Sequence, residues 1–275
     1  MSLFEELVEY TKEDERIVKS FQTKDILCND IFDKTSDGFK MKEEIRKRLL
    51  EISDDFIESF GVEFFIHDIV LTGSLSNYNW SEFSDVDLHI LIDMNDINDG
   101  SDILQSIVKE FFDAKKNVWN EKHDIKIKGF DVEVYVQDVE EPHISSGVYS
   151  ILNDKWEIEP KKETPNIDDR KILDKAEDFA KKIDNLIKLS PNDETLSKIE
   201  SLRKKLKQFR QSGLETGGEY SYENLTFKLL RRNGYIEKLL KLKTDIIDNK
   251  LSITQQRTLF FSIYLCIYKV RISIS

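Results

Sequence analysis

The sequence predicts an α+β fold: a small mixed sheet flanked by helices, followed by a C-terminal helical region. Three observations carry that prediction. Residues 64–93 hold two apolar, strand-like runs joined by Gly73-Ser74 and a polar loop. Residues 124–137 alternate apolar and polar side chains around Lys128-Gly129, the pattern of a hairpin. Beyond Pro160 the composition shifts, and nearly everything to residue 250 follows helical spacing. The expected domains are therefore residues 1–160, bearing the sheet, and residues 161–275, helical.

The elements follow in order. Residues 2–20 space Leu3, Leu7, Tyr10 and Ile17 as one or two short helices, and residues 21–39 read as a loop. From Met41 to Phe60, the positions Ile45, Leu49, Ile52, Phe56 and Ile57 make an amphipathic helix ended by Gly61. The first strand spans Phe64–Thr72 as a nearly continuous buried run, and the second spans Val86–Ile92. Asp99-Gly100-Ser101 is a turn with a helix cap. The helix it starts runs to about Trp119, with Ile103, Ile107, Phe111 and Val118 on its buried side. After the hairpin at 124–137, a further short hairpin turns at Asn153-Asp154, between Tyr149–Leu152 and Trp156–Ile158.

In the second half, Ile172, Ala176, Phe179, Ile183 and Leu186 mark a helix over 168–189. Ser190-Pro191 opens another along Leu196, Ile199, Leu202, Leu206 and Phe209, giving an antiparallel pair. Residues 213–232 read as a Gly-rich loop and a helix capped by Ser221 or Asn224, ended by Asn233-Gly234. From Leu251 onward there is no acid. The apolar run at 258–270 is too short for a bilayer, which needs ~20 residues, and reads as a buried helix or strand.

The chemistry gathers on the two strands of residues 64–93. Asp85, Asp87 and His89 share one face of the second strand, while Val86, Leu88 and Ile90 share the other. Carboxylates two residues apart on a strand have Cα atoms ~6.5–7 Å apart, so both can converge on a divalent cation. Left unpaired they would repel, and a cation is the natural neutraliser. Gly73 lets backbone approach a ligand, and Ser74 offers a hydroxyl and an N–H to phosphate oxygen. A third acid is available on the second hairpin arm: Glu133, mid-strand between two valines, with Asp131 in reserve nearer the strand end. A lone strand histidine such as His89 is more often structural, and His67 and His143 have no partner at metal spacing.

Gly73-Ser74, then Asp85-Val86-Asp87 inside an apolar strand, then an acid on a later strand, resembles the DNA polymerase beta-like nucleotidyltransferase superfamily. The longer wording, LTGSLSNYNWSEFSDVDLHILID with DVEVYVQD and GVYSILNDKW, is similar to predicted nucleotidyltransferases of tailed bacteriophages. The core motif covers residues 64–137. The resemblance implies a nucleotidyltransferase sheet flanked by helices, and transfer of a nucleotidyl group from a nucleoside triphosphate (ATP or another NTP) with Mg²⁺ or Mn²⁺. It implies Asp85, Asp87 and Glu133 as catalytic metal ligands and Gly73 and Ser74 as triphosphate binders. On the helix after residue 220, Tyr222 suits base stacking, and Lys228 and Arg231 suit a triphosphate.

Composition narrows the rest. The net charge of −12 argues against a generally nucleic-acid-coating surface, though not against a local basic groove. Cys28 and Cys266 cannot make a disulfide framework, and a cytoplasmic setting fits, the host cytoplasm for a phage protein. The first residues lack the pattern of a signal peptide, and no membrane partner is expected. No Walker loop, dinucleotide fingerprint or nucleophile elbow is present. The acceptor stays open: an RNA 3′ end, a protein hydroxyl, a small molecule or a second nucleotide. The other reading is a nucleotide-binding or protein-interaction module on the same fold without turnover.

Overall fold

The computed structural model describes residues 12–61, 63–97, 102–141 and 145–252, and the chain forms two compact units, residues 1–169 and 170–275. The expected cap at Asp99-Gly100-Ser101, His143, the first eleven residues and the tail beyond residue 252 lie outside the described residues.

The first unit is α+β. After a helix over residues 12–19 (α1), a hairpin of β1 (Phe32–Thr35) and β2 (Gly38–Met41) leads into α2 (Glu43–Glu58). Then come β3 (Asp68–Thr72), β4 (Val86–Ile92), α3 (Asp102–Lys122), β5 (Lys126–Ile127), β6 (Phe130–Asp138), β7 (Val148–Ser150) and β8 (Lys155–Ile158). Six strands form one mixed sheet in the order β5-β6-β4-β3-β7-β8. The β4–β6 pair is parallel, and α3 makes the crossover that parallel neighbours require; the other pairs are antiparallel.

Strand alternation sorts the faces. Ile69, Leu71, Val86, Leu88, Ile90, Val132 and Val134 enter one buried cluster with Ile45, Leu49, Ile52 and Phe56 of α2 and Phe112 of α3. Burying each such side chain contributes about 1.5–3 kcal/mol, enough to fix strand register against a one-residue slip. The opposite face carries Asp87, His89, Glu133 and Tyr135, beside a small apolar group of Val70, Leu91 and Val148.

Three expectations for this unit need correction. Residues 32–41 are a hairpin rather than loop: Phe32 stacks on Trp156 at 5.1 Å and meets Tyr149 edge-on at 5.5 Å, anchors remote in sequence. The strand before Gly73 starts at Asp68, not Phe64, and Phe65 is 67% exposed. The buried side of α3 is turned by one residue from the expected one. Phe112 is 3% exposed, with Val108 and Trp119 packed beside it, whereas Ile107, Phe111 and Val118 are exposed. The two stripes have identical spacing, so periodicity alone does not choose between them. The Lys128-Gly129 and Asn153-Asp154 turns stand as expected; Lys128, Gly129 and Asp154 take positive φ.

The second unit is helical: α4 (Asp169–Ile187) begins at the divide, followed by α5 (Asp193–Gly217), α6 (Tyr222–Arg232) and α7 (Tyr235–Leu251). Ile172, Ala176, Phe179, Ile183 and Leu186 are buried along α4, as their spacing predicts. Asn192 caps α5 by accepting from the Thr195 N–H at 2.9 Å. The expected Gly-rich loop is instead the end of α5. Gly213 is helical, and a Cβ there would fall 2.5 Å from Glu223 Cβ, so the glycine permits close helix packing. Ser221 caps α6, and Gly234, at φ 71°, separates α6 from α7. No helix among the described residues is long and apolar enough to cross a membrane.

Candidate active site

Pairing brings the acids together. Antiparallel register sets Thr72 of β3 opposite Asp87, and parallel register sets Asp87 opposite Glu133 of β6. Asp85 stands just before β4, two residues from Asp87 and on its face. One carboxylate oxygen from each of Asp85, Asp87 and Glu133 lies within 4.8 Å of the other two, and each residue is half-buried. Asp131, the reserve candidate, is exposed and paired with Lys126.

The turn after β3 is built around these acids. Gly73 takes φ +73°, and a Cβ there would lie 1.8 Å from Asp87 Oδ2. Two independent constraints therefore demand glycine: left-handed backbone and contact with a carboxylate. The Ser74 hydroxyl donates to Ser84 Oγ at 2.7 Å, and Ser84 Oγ also accepts from the Ser81 N–H at 2.9 Å. Among the described residues no acceptor takes the Ser74 N–H.

The loop 73–84 is stitched to the strand beyond it. The buried Ser76 hydroxyl lies 3.0 Å from the Gly73 carbonyl and 2.8 Å from that of Gly147, and Asn77 Nδ2 donates to Ser146 Oγ. Gly147 is another required glycine, since a Cβ would meet the Ser76 carbonyl oxygen at 2.1 Å. The sequence reading missed Ser76, Ser84 and Gly147. Their only signal is a serine-rich loop and a lone glycine, and the partners of Ser76 and Gly147 are 71 residues apart.

Tyr135 was also missed as a site residue. Its hydroxyl donates to Glu133 Oε2, and Lys116 Nζ sits 4.9 Å from its ring centroid. Burial, then the bond to Glu133 and the charges of Glu133, Asp87 and Asp85, push the phenol far above its ordinary value. Tyr135 thus stays a protonated donor that fixes the Glu133 carboxylate. His89 has a structural setting, with Nδ1 2.7 Å from Gln137 Oε1 and its ring 4.8 Å from that of Tyr135. His67 departs from expectation. It shares a cluster with Asp93 and Asp96 beyond the far end of β4, with Nε2 3.8 Å from Asp96 Oδ2.

The remaining predicted residues lie on α6, in the second unit. Tyr222 has Lys171 Nζ 3.7 Å from its ring centroid and Phe209 edge-on at 5.7 Å, so its ring is already engaged. Lys228 is half-buried and Arg231 exposed. No protein-family model matches the chain, and no curated protein matches it.

Proposed function

We propose that the first unit is a metal-dependent nucleotidyltransferase, moving a nucleoside monophosphate from a nucleoside triphosphate to an acceptor hydroxyl and releasing pyrophosphate. The observation that carries this reading is the convergence of Asp85, Asp87 and Glu133 beside a turn where only glycine fits. Three carboxylates sharing so small a space suit hard cations such as Mg²⁺ or Mn²⁺, and these three residues would hold them. A bound metal supplies charge neutralisation at the phosphoryl oxygens.

The protein's own groups divide the remaining work. The Ser74 N–H holds a phosphate oxygen, at a turn where the absent Cβ gives access, while Ser84 fixes the Ser74 hydroxyl. Glu133, held by Tyr135, receives the proton of the acceptor hydroxyl. The acceptor oxygen then bonds to the α-phosphorus while the bond from that phosphorus to the bridging oxygen breaks, and pyrophosphate departs.

Parallel incubations with α-labelled and γ-labelled triphosphates test the assignment. Nucleotidyl transfer puts the α label on the product and the γ label in pyrophosphate, and Asp87→Asn removes both signals. Transfer of the γ label to an acceptor would make the protein a phosphotransferase, and tight nucleotide binding without turnover would make it a binding module.

A further inference from the structure

The charges are divided between the two units. Residues 1–169 carry 40 Asp and Glu against 19 Lys and Arg, whereas residues 170–275 carry 13 against 22. The overall −12 is thus the difference between an acidic unit and a basic one. Within the second unit the cations collect on α5. Arg203, Lys204, Lys205, Lys207 and Arg210 follow Glu200, with no acid until Glu215. Outside this run Lys181 pairs with Glu177, Lys198 at the start of α5 with Glu194, and Lys243 with Glu200. None of the five cations from Arg203 to Arg210 makes an ion pair with a described residue.

Three of them line a cleft. Arg203, Lys207 and Arg210 form one wall of a space of about 200 Å³, faced by Phe227 of α6 and by Ile236 and Leu239 of α7. The Arg210 guanidinium lies over the Phe227 ring, 4.8 Å from its centroid, and its Nε donates to Asn224 Oδ1 at 3.2 Å. Burial and then Arg231 hold Arg210 below its ordinary value. Burial does the same to Lys228, which faces Arg232, Arg231 and Arg210, with Glu219 opposing them. The fold therefore crowds like charges around α5 and α6, and a bound polyanion would relieve that repulsion.

From Arg203 to Arg210 the helix runs about 10 Å, so a repeating anion can meet more than one cation, where a lone phosphate meets one. The apolar floor between the cations accepts a flat ring, which every nucleotide of a strand brings and a run of acidic side chains does not. A vesicle surface does not enter a cleft. We propose that α5 and this cleft bind single-stranded nucleic acid, with phosphates on the lysines and arginines and a base against the apolar wall. Naming that strand as the acceptor rests on the nucleotidyltransferase reading; the binding itself does not.

The test is fluorescence anisotropy of a labelled single-stranded RNA with full-length Asp87→Asn protein, so that turnover plays no part. With three to four phosphates engaged, raising salt from about 50 to 200 mM should weaken binding about 20- to 50-fold. Charge reversal at Lys207 of the cleft and at the exposed Lys204 next to Arg203 should weaken it by about 10-fold or more at constant salt. The variant's circular dichroism and melting should match the parent, and Arg203→Gln gives a milder second variant. Polyglutamate and anionic vesicles should compete poorly beside unlabelled RNA. Absence of binding at the lower salt, binding indifferent to charge reversal, or equal competition by polyglutamate or vesicles would overturn the proposal. Each of those results leaves the label-transfer experiment, and the reading it tests, untouched.

Discussion

A methyl group at position 73 would land 1.8 Å from the Asp87 carboxylate, in a backbone conformation that side chains already disfavour. Gly73→Ala should therefore displace Asp87 and lower turnover by about 100-fold or more, with a stability cost of about 1–3 kcal/mol measured by denaturant unfolding. Glu133→Gln should damage turnover far more than Asp131→Asn, because Glu133 joins the two aspartates while Asp131 pairs with Lys126. Tyr135→Phe should fall between, with kcat reduced about 10-fold and the triphosphate KM little changed, since it releases Glu133 without removing it. A side-by-side kinetic comparison ranks the three. The acids were legible in the sequence because strand alternation fixes which side chains share a face. The serine and glycine contacts behind the turn were not, because only the folded pairing of β3 with β7 brings residues 76 and 147 together.

At the scale of elements, local chemistry announced itself and facing did not. Turns such as Lys128-Gly129 and caps such as Ser221 are fixed by near neighbours. The rotation of α3 is fixed by the aromatic cluster it meets, where Phe112 lies 5.2 Å from Phe60 and 5.5 Å from Phe64. Phe112→Ala should cost about 3–5 kcal/mol and Phe111→Ala about 1 kcal/mol or less, read from urea midpoints. The hairpin of β7 and β8 depends on Asp154, which pairs with Lys40 at 2.8 Å and accepts from the Tyr149 hydroxyl at 2.7 Å. Burial pushes its carboxyl up, but Lys40, Tyr149 and Arg46 together hold it below its ordinary 3.8. A depressed folded value stabilises above the unfolded one and fades as pH falls through the folded one. Asp154→Asn tolerates the same left-handed backbone, so it isolates the charge. It should cost about 1 kcal/mol at pH 7, and the gap to wild type should close as melting is followed from pH 5 to pH 3.

For the whole molecule, the composition shift near Pro160 made a helical second part legible, and that part is seen as α4 to α7. Its opposite charge was hidden inside a single net value, because an average over 275 residues cancels −21 against +9. The first unit holds three acids together, a like-charged cluster whose mutual repulsion costs stability. That cluster gives the central claim a test that needs no knowledge of the acceptor. Melting curves of wild type, Asp85→Asn and Asp87→Asn, first in chelator and then with Mn²⁺ and each triphosphate, measure it directly. In chelator both variants should melt at or above wild type, by about 0.5–2 kcal/mol of added stability. Metal with triphosphate should then raise the wild-type Tm by mass action and the variants' far less. Variants that melt below wild type in chelator, with no metal–nucleotide shift in wild type, would contradict the account and make these aspartates structural.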